Sequence, residues 1–134
     1  MKILIVDDDP DVRHGLHVWL KASQYDSYFA ADALSAISEA RKVQPDLILL
    51  DLGLACGDGF MVMERLRSNT NLACIPVIIA SARDPQANQL RALKEGAKAF
   101  VHKPFDNDRL LETIREVLGR QDSSLSSADV GTKA

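Results

Sequence analysis

The chain has 134 residues, of which 46% are hydrophobic and 26% are charged. This length fits one compact domain, and a chain of this size can fold without a disulfide or a structural metal. The 16 lysines and arginines against 19 aspartates and glutamates give a net charge of −3, without the basic excess of a domain that grips nucleic acid. The composition therefore predicts a single domain with no direct nucleic acid contact.

The lengths of the apolar stretches and the spacing of the cysteines indicate where in the cell the protein is located. The longest apolar stretch is residues 72–80, far shorter than the roughly 20 residues that span a bilayer. After Lys2, only residues 3–6 are apolar before three consecutive aspartates, so a signal peptide is not expected. Cys56 and Cys74 lack the spacing of a metal site or a disulfide framework and are interpreted as packing residues in a reducing compartment. We therefore expect a cytoplasmic protein without membrane contact.

Five short apolar runs alternate with segments of helical spacing along the chain. Each run is continuous, which is typical of a parallel strand that is covered by helices on both faces. The pattern predicts an α/β fold with a single doubly wound parallel sheet of five strands and five flanking helices. The predicted strands are Ile3–Val6, Tyr28–Ala30, Leu47–Leu50, Val77–Ala80 and Ala99–Val101.

Helix boundaries are marked by capping residues and prolines. Asp9-Pro10 and Asp84-Pro85 each combine a capping carboxylate with a proline that suits the first helical position. Asp9 is therefore interpreted as a helix cap. In the fourth helix, Leu90, Leu93 and Ala97 have the spacing of an apolar face and are expected to pack on the sheet.

The end of the chain differs in composition from the rest. Gly119 is expected to end the fifth helix, and residues 120–134 contain four serines and few large apolar side chains. Such a segment has little to contribute to a core. We therefore divide the chain into a domain at residues 1–119 and a flexible tail, or the start of a linker, at residues 120–134.

Polar residues follow four of the five predicted strands. In open α/β sheets, ligands bind beyond the carboxyl ends of the strands, where the winding reverses direction. The second strand contributes no polar residue there and is best placed at an edge, which favours the flavodoxin-like order 2-1-3-4-5 over 3-2-1-4-5. The residues that follow the four strands are Asp7, Asp8 and Asp9, then Asp51, then Ser81, and finally His102 and Lys103.

The acidic residues predict a metal site. Carboxylates that converge in a cleft, such as Asp7, Asp8 and Asp51, repel one another unless a cation compensates. Oxygen ligands without cysteine or paired histidine favour Mg²⁺ over zinc. Such a cation, the Lys103 ammonium and the Ser81 hydroxyl can together offset the charge of a transferring phosphoryl group. Asp51 is then the predicted nucleophile.

Five motifs occur in order along the chain: ILIVDDDP, DLILLDL, GDGF, PVIIASA and GAKAFVHKPF. Together they resemble the receiver domains of bacterial two-component response regulators, over Lys2 to about Leu118. The resemblance implies that Asp51 accepts a phosphoryl group from the phosphohistidine of a sensor histidine kinase or a histidine phosphotransfer protein. It also implies that the domain is not an enzyme with an external substrate, since it catalyses only its own phosphorylation and dephosphorylation.

The resemblance further implies a set of metal ligands. The expected cofactor is Mg²⁺, for which Mn²⁺ can substitute. Asp8 and Asp51 are expected to bind the ion directly, and Asp7 mainly through metal-bound water. The remaining protein ligand is expected to be the main-chain carbonyl of Gly53.

Phosphorylation is implied, by the same resemblance, to change a protein surface. Ser81 and Lys103 are expected to hold phosphoryl oxygens. Movement of Ser81 toward the phosphate would open space for Phe100, at the family's aromatic switch position. The surface that changes is expected to be helix 4, strand 5 and helix 5, near residues 89–98 and 108–117. A downstream effector domain or protein, or a second copy of the chain, is expected to dock there.

Some positions decide how closely the chain follows the family. The Lys103-Pro104 bond is expected to be cis, as in relatives. Ala55 stands where a proline often stiffens the loop, so residues 53–57 are expected to be flexible. Gly53 and Arg83 occupy positions that tune hydrolysis of the acyl phosphate in relatives, and their combination does not predict a lifetime.

Two other functions are compatible with parts of the sequence. An enzyme with an aspartyl-phosphate intermediate, such as a haloacid-type phosphatase, is disfavoured because no DxD motif begins at Asp51 and no substrate-cap insertion is present. A flavodoxin-like nucleotide-binding module is disfavoured because neither GxxxxGK[ST] nor GxGxxG occurs. Turnover of an external phosphoester would favour the first, and tight binding of flavin or nucleotide the second.

Overall fold

The computed structural model describes residues 1–54 and 58–125, with residues 120–125 described as helical backbone. Within these ranges strands and helices alternate, which confirms the predicted α/β class. The predictions for Ala55 and Cys56 fall outside the described residues, as does most of the predicted tail. The elements are β1 (Lys2–Val6), α1 (Pro10–Ala22), β2 (Asp26–Ala30), α2 (Ala33–Val43), β3 (Leu47–Leu50), α3 (Gly59–Ser68), β4 (Val77–Ser81), α4 (Pro85–Lys94), β5 (Ala99–His102) and α5 (Asn107–Leu125).

The strands form one parallel sheet in the order β2-β1-β3-β4-β5. This confirms the predicted order and places β1, β3 and β4 side by side. Val6 pairs with Leu50, and Leu50 with Ile79, so the carboxyl ends of these three strands lie at the same edge. β2 begins at Asp26, two residues earlier than predicted, because its first residue pairs with Lys2.

Strand side chains alternate between two cores, one on each face of the sheet. In β1, Leu4 and Val6 join the core that α2, α3 and α4 cover, while Ile3 and Ile5 join the core of α1 and α5. All four are at most 1% exposed. Full burial of one such side chain stabilises the fold by roughly 1.5–3 kcal/mol. The need to fill both faces explains why the strand sequences are continuously apolar.

Each of the five described helices begins next to an aspartate whose carboxylate accepts a main-chain N–H of the first turn. Those N–H groups have no partner within the helix, and the helix dipole favours a negative charge there. Each such cap contributes about 1 kcal/mol. Asp9 therefore caps α1, as the sequence predicts. The pairs are Asp9 with Asp11, Asp32 with Ser35, Asp58 with Phe60, Asp84 with Gln86 and Asp106 with Asp108.

Three side chains that the sequence places in the core are exposed. Leu90 and Leu93 of α4 are 63% and 42% exposed, and Cys74 in the connection from α3 to β4 is exposed as well. The predictions for these residues are wrong. α4 approaches the sheet through the small side chain of Ala92, which is its buried residue, so its leucines lie on the outer side.

The last helix is longer than predicted. α5 runs from Asn107 to Leu125, so the prediction that Gly119 ends it is wrong. A single glycine inside a helix costs only about 1 kcal/mol relative to alanine, which is too little by itself to end a helix. Of the helices in the described part of the chain, α5 included, none is long and apolar enough to span a membrane.

Candidate functional site

Three carboxylates converge at the carboxyl edge of the sheet. Asp7 and Asp8 directly follow β1, and Asp51 directly follows the adjacent strand β3. One oxygen of each carboxylate lies within 4.8 Å of an oxygen of the other two. The pairing of Val6 with Leu50 explains this proximity, because both strands end at the same level. The structure thus brings the three acidic residues singled out from the sequence into one cluster.

A lysine that directly follows β5 compensates part of this charge. Lys103 Nζ lies 2.6 Å from Asp7 Oδ2 and 3.7 Å from Asp51 Oδ2. The side chains of Lys103 and Asp7 are only 17% and 5% exposed, so their attraction is screened less than that of a surface pair. The peptide bond between Lys103 and Pro104 is cis, as predicted. Three negative charges and one positive charge leave a net −2, which suits a divalent cation.

The three carboxylates differ in their hydrogen bonds. Asp7 Oδ1 accepts the N–H of Asp9 at 2.9 Å, and Oδ2 accepts the Lys103 ammonium. Asp51 Oδ1 accepts the N–H of Gly53 at 3.2 Å. Asp8 is exposed at the rim of the cluster. Asp8 and Asp51 therefore keep more oxygen lone pairs for a metal than Asp7 does.

Burial raises the pKa of the Asp51 carboxyl above its ordinary value. The neighbouring carboxylates of Asp7 and Asp8 act in the same direction, whereas the Lys103 ammonium and the N–H of Gly53 oppose the rise. An ionised Asp51 is therefore destabilising to the metal-free fold, and a cation bound beside it would relieve that cost.

We expect Asp51→Asn to raise the free energy of unfolding at pH 7 in metal-free buffer. A carboxyl whose pKa is higher in the folded than in the unfolded state penalises folding above its folded-state pKa. The penalty disappears as the pH falls through that pKa toward the ordinary value near 4, so the advantage of the variant should shrink with acidification. Urea unfolding of both proteins at several pH values measures this, and an advantage that grows toward acid would contradict it.

The Ser81 hydroxyl lies at the end of the next strand. Ser81 is fully buried and pairs with His102 of β5. Its Oγ accepts the N–H of Arg83 at 3.1 Å, and its carbonyl oxygen accepts the N–H of Lys103 at 2.8 Å. The His102 ring contacts the carbonyl oxygen of Ala82 at 3.3 Å. Main-chain pairing of β4 with β5 therefore fixes the hydroxyl and the lysine relative to each other.

An ion pair that the sequence analysis missed connects two loops at this edge. Arg83 Nη1 lies 3.1 Å from Asp58 Oδ2, with the side chains 38% and 43% exposed. The pair ties the loop after β4 to the first turn of α3, where Asp58 also caps the helix. An exposed pair of this kind contributes at most about 1 kcal/mol. Nothing in the local sequence indicates it, since the partners are 25 positions apart.

Gly59 is a second residue whose role the sequence analysis missed. A Cβ at this position would lie 2.7 Å from both the carbonyl oxygen of Asp51 and the Cα of Leu52. The N–H of Gly59 donates to the carbonyl oxygen of Leu52 at 3.0 Å. A side chain here would displace the main chain that carries Asp51. The glycine of the GDGF motif was the available signal.

Comparison with known proteins identifies related sequences. Residues 3–115 match the family model described as the response regulator receiver domain. The DNA-binding dual master transcriptional regulator RpaA of Synechocystis sp. is 37% identical over 121 residues. The alignment covers 90% of this chain and 50% of RpaA, so the chain spans about half the length of that relative.

Solved structures show the same fold. The CheY-like response regulator receiver domain protein from Methanospirillum hungatei JF-1 has a TM-score of 0.85 at 27% identity, covering 92% of this chain and 97% of that one. The receiver domain of a sensor histidine kinase from Pseudomonas aeruginosa PAO1 has a TM-score of 0.80 at 26% identity, covering 88% and 97%. The latter holds a magnesium ion coordinated in its active site cleft.

Proposed function

The chain belongs to the response regulator receiver domain family, and on that premise we propose that Asp51 accepts a phosphoryl group in two-component signalling. The donor is the phosphohistidine of a sensor histidine kinase or of a histidine phosphotransfer protein. The observation that carries the proposal is the cluster of Asp7, Asp8 and Asp51 with the Lys103 ammonium in its midst. Membership of the receiver family makes the chain a signalling domain. Phosphoryl transfer to Asp51 is the chemistry proposed for it.

The transfer step uses groups that the fold already holds in place. A carboxylate oxygen of Asp51 attacks phosphorus, an O–P bond forms, and the P–N bond to the donor imidazole breaks. The imidazole nitrogen takes a proton from solvent, and Asp51 becomes an aspartyl phosphate. Lys103, 3.7 Å from Asp51 Oδ2, and the Ser81 hydroxyl stabilise the charge on the transferred oxygens. Attack of water on phosphorus then breaks the bond to Asp51, releases inorganic phosphate and regenerates the carboxylate, so the chain modifies only itself.

The residues present fit a magnesium ion. Hard oxygen donors with a net charge of −2 suit Mg²⁺ or Mn²⁺. Asp8, Asp51 and the carbonyl of Gly53 would hold the ion directly. Asp7 would act through metal-bound water, because its oxygens already accept bonds from Asp9 and from the lysine. When bound, the ion supplies neutralisation of charge on the phosphoryl oxygens.

The conformational effect of phosphorylation is proposed to be transmitted to the protein surface through Ser81. In the unphosphorylated structure the Ser81 hydroxyl accepts the N–H of Arg83. The negative charge of the phosphoryl group attracts this hydroxyl and thereby moves the loop after β4. Phe100 of β5 is half-buried against the core beneath α4 and can turn inward when that loop moves. The equilibrium is a population shift, so a partner must prefer one state.

The surface of α4, β5 and α5 is the proposed docking site for the output partner. Leu90 and Leu93 are the exposed apolar side chains of α4, and exposed leucines of this kind favour contact with protein. The partner is a downstream effector domain or protein, or a second copy of the chain on phosphorylation. A DNA-binding effector, as the name of RpaA indicates for that relative, is one such output. A cytoplasmic location is proposed on the basis of this signalling role.

We expect Lys103→Gln to slow phosphorylation of Asp51 by about 100-fold, because one donor to the developing charge is lost. The rate is measured from intact mass after mixing with acetyl phosphate and Mg²⁺. Lys98→Gln, which removes an exposed lysine outside the cluster, is the matched control and should react like the wild type. Chelation with EDTA should stop the reaction in every variant. Equal rates for Lys103→Gln and the wild type, or full labelling in EDTA, would overturn the proposal.

A further inference from the structure

A basic groove lies between α2 and α3. It consists of two adjoining cavities of about 500 and 480 Å³, which share Ile37, Arg41 and Arg65 as lining residues. We define the α2–α3 groove by six of its residues: Leu34, Ile37, Arg41, Lys42, Arg65 and Thr70.

The charge of the α2–α3 groove is opposite to that of the chain. Among the residues that the structure describes, Arg41, Lys42 and Arg65 line it and no acidic side chain does. None of these three cations forms an ion pair within residues 1–54 and 58–119, whereas Arg67 and Arg91 both pair with Glu95. Three unpaired cations therefore share one concave surface of a protein whose net charge is −3.

Helix electrostatics accounts for only part of this arrangement. Arg41 and Lys42 lie in the last turn of α2, and Arg65 lies in the last turn of α3, where cations stabilise the helix dipole. That effect does not require cations of two helices to face the same groove, where like charges repel. An anionic ligand would remove this repulsion.

The apolar part of the α2–α3 groove narrows the choice of ligand. Leu34 is 73% exposed at the surface, and Ile37, at 9%, lies beneath it. Within the described part of the chain, neither cavity is lined by an aromatic side chain on which a nucleic acid base could stack. The cations are complementary in charge to carboxylates, and the aliphatic surface can pack against an aliphatic side chain. A peptide segment that carries both groups therefore fits the α2–α3 groove.

We propose that the α2–α3 groove binds an acidic peptide segment of a partner protein, with an aliphatic side chain against Leu34 and Ile37. The cations lie near the helix ends that lead back to the amino ends of β3 and β4. The acidic cluster lies at the opposite edge of the sheet, so it does not oppose an anionic ligand. This proposal does not depend on phosphorylation of Asp51.

The test uses the full chain and a synthetic peptide of glutamate and leucine in the repeat Glu-Glu-Leu. Titration of the ¹⁵N-labelled protein at low salt should give saturable shifts of the main-chain amides of Leu34, Arg41, Arg65 and Thr70. Added salt should weaken binding, because exposed ion pairs are screened. A peptide with lysine in place of glutamate should not bind.

Charge reversal supplies the decisive comparison. The double substitution Arg41→Glu and Arg65→Glu should lower the affinity for the peptide by about tenfold or more, since two attractive contacts become repulsive. Lys21→Glu, at an exposed lysine in the last turn of α1, should bind like the wild type. If the reversed pair unfolds, Arg41→Gln with Arg65→Gln replaces it and should weaken binding by a smaller factor.

Three results would overturn the proposal. The first is the absence of saturable shifts in the wild type, which would leave the cations with a role in helix stability alone. The second is equal affinity of the wild type and the charge-reversed protein. The third is tighter binding of a short DNA duplex, or of vesicles containing phosphatidylglycerol, than of the peptide.

Discussion

Asp51→Asn is expected to abolish phosphorylation of the chain by acetyl phosphate in the presence of Mg²⁺. The amide lacks the carboxylate oxygen that forms the acyl phosphate, and we expect neither Asp7 nor Asp8 to replace it. Among the described residues, Lys103 forms ion pairs with Asp7 and Asp51 but not with Asp8. Asp7 already engages both of its oxygens with Asp9 and Lys103. Intact mass before and after the reaction gives the labelled fraction directly, and the variant should stay at the unlabelled mass.

The control for this experiment lies at the other end of the same strand. Asp46 immediately precedes β3 and accepts the main-chain N–H of Lys2 at 2.7 Å, away from the acidic cluster. Asp46→Asn should therefore be labelled as fast as the wild type. Labelling of Asp51→Asn at the wild-type rate would show that another residue is the acceptor, and failure to label the wild type would remove the basis of the proposal.

Gly59→Ala is expected to lower the free energy of unfolding by about 1–3 kcal/mol, the usual cost of overpacking. The added methyl group would lie 2.7 Å from the carbonyl oxygen of Asp51 and from the Cα of Leu52. Both contacts are with main chain, which cannot move aside as a flexible side chain does. Urea unfolding measures the loss, and slower labelling of Asp51 should accompany it because the displaced main chain carries the acceptor.

Gly15→Ala provides the matched comparison in α1. A Cβ at Gly15 meets no atom within 4 Å, and alanine is favoured over glycine inside a helix by about 0.5–1 kcal/mol. This variant should therefore be slightly more stable than the wild type. If Gly59→Ala and Gly15→Ala had equal free energies of unfolding, α3 could not approach the main chain after β3 as closely as described.

The fold could be predicted from the sequence because its signals are local and repeated. The continuous apolar run of Leu47–Leu50 identifies a strand that is buried on both faces, and the carboxylate of Asp9 identifies a helix start. The errors arose where a local signal is ambiguous. Leu90 and Leu93 have helical spacing, but spacing alone does not say which side of α4 faces the sheet. Gly119 is weak evidence for an end, since a helix tolerates a single glycine.

The acidic cluster could be predicted as well, because strand order brings the residues after β1 and β3 together. The partners of those residues could not be predicted. Lys103 Nζ lies 2.6 Å from Asp7 and 3.7 Å from Asp51. Which carboxylate the lysine contacts more closely depends on side-chain geometry, which a sequence pattern does not predict. The contact of Arg83 with Asp58 depends on the approach of two loops. Metal ligation, including the carbonyl of Gly53, stays a prediction.

The ion pair between Asp7 and Lys103 joins positions 96 residues apart. A contact of such long sequence separation closes a long loop of the chain, which costs conformational entropy. While the ribosome is still translating β5, the nascent chain holds its acidic residues without their cation. A polypeptide that ends before residue 103 would therefore lack the ammonium that offsets part of the charge on the three carboxylates.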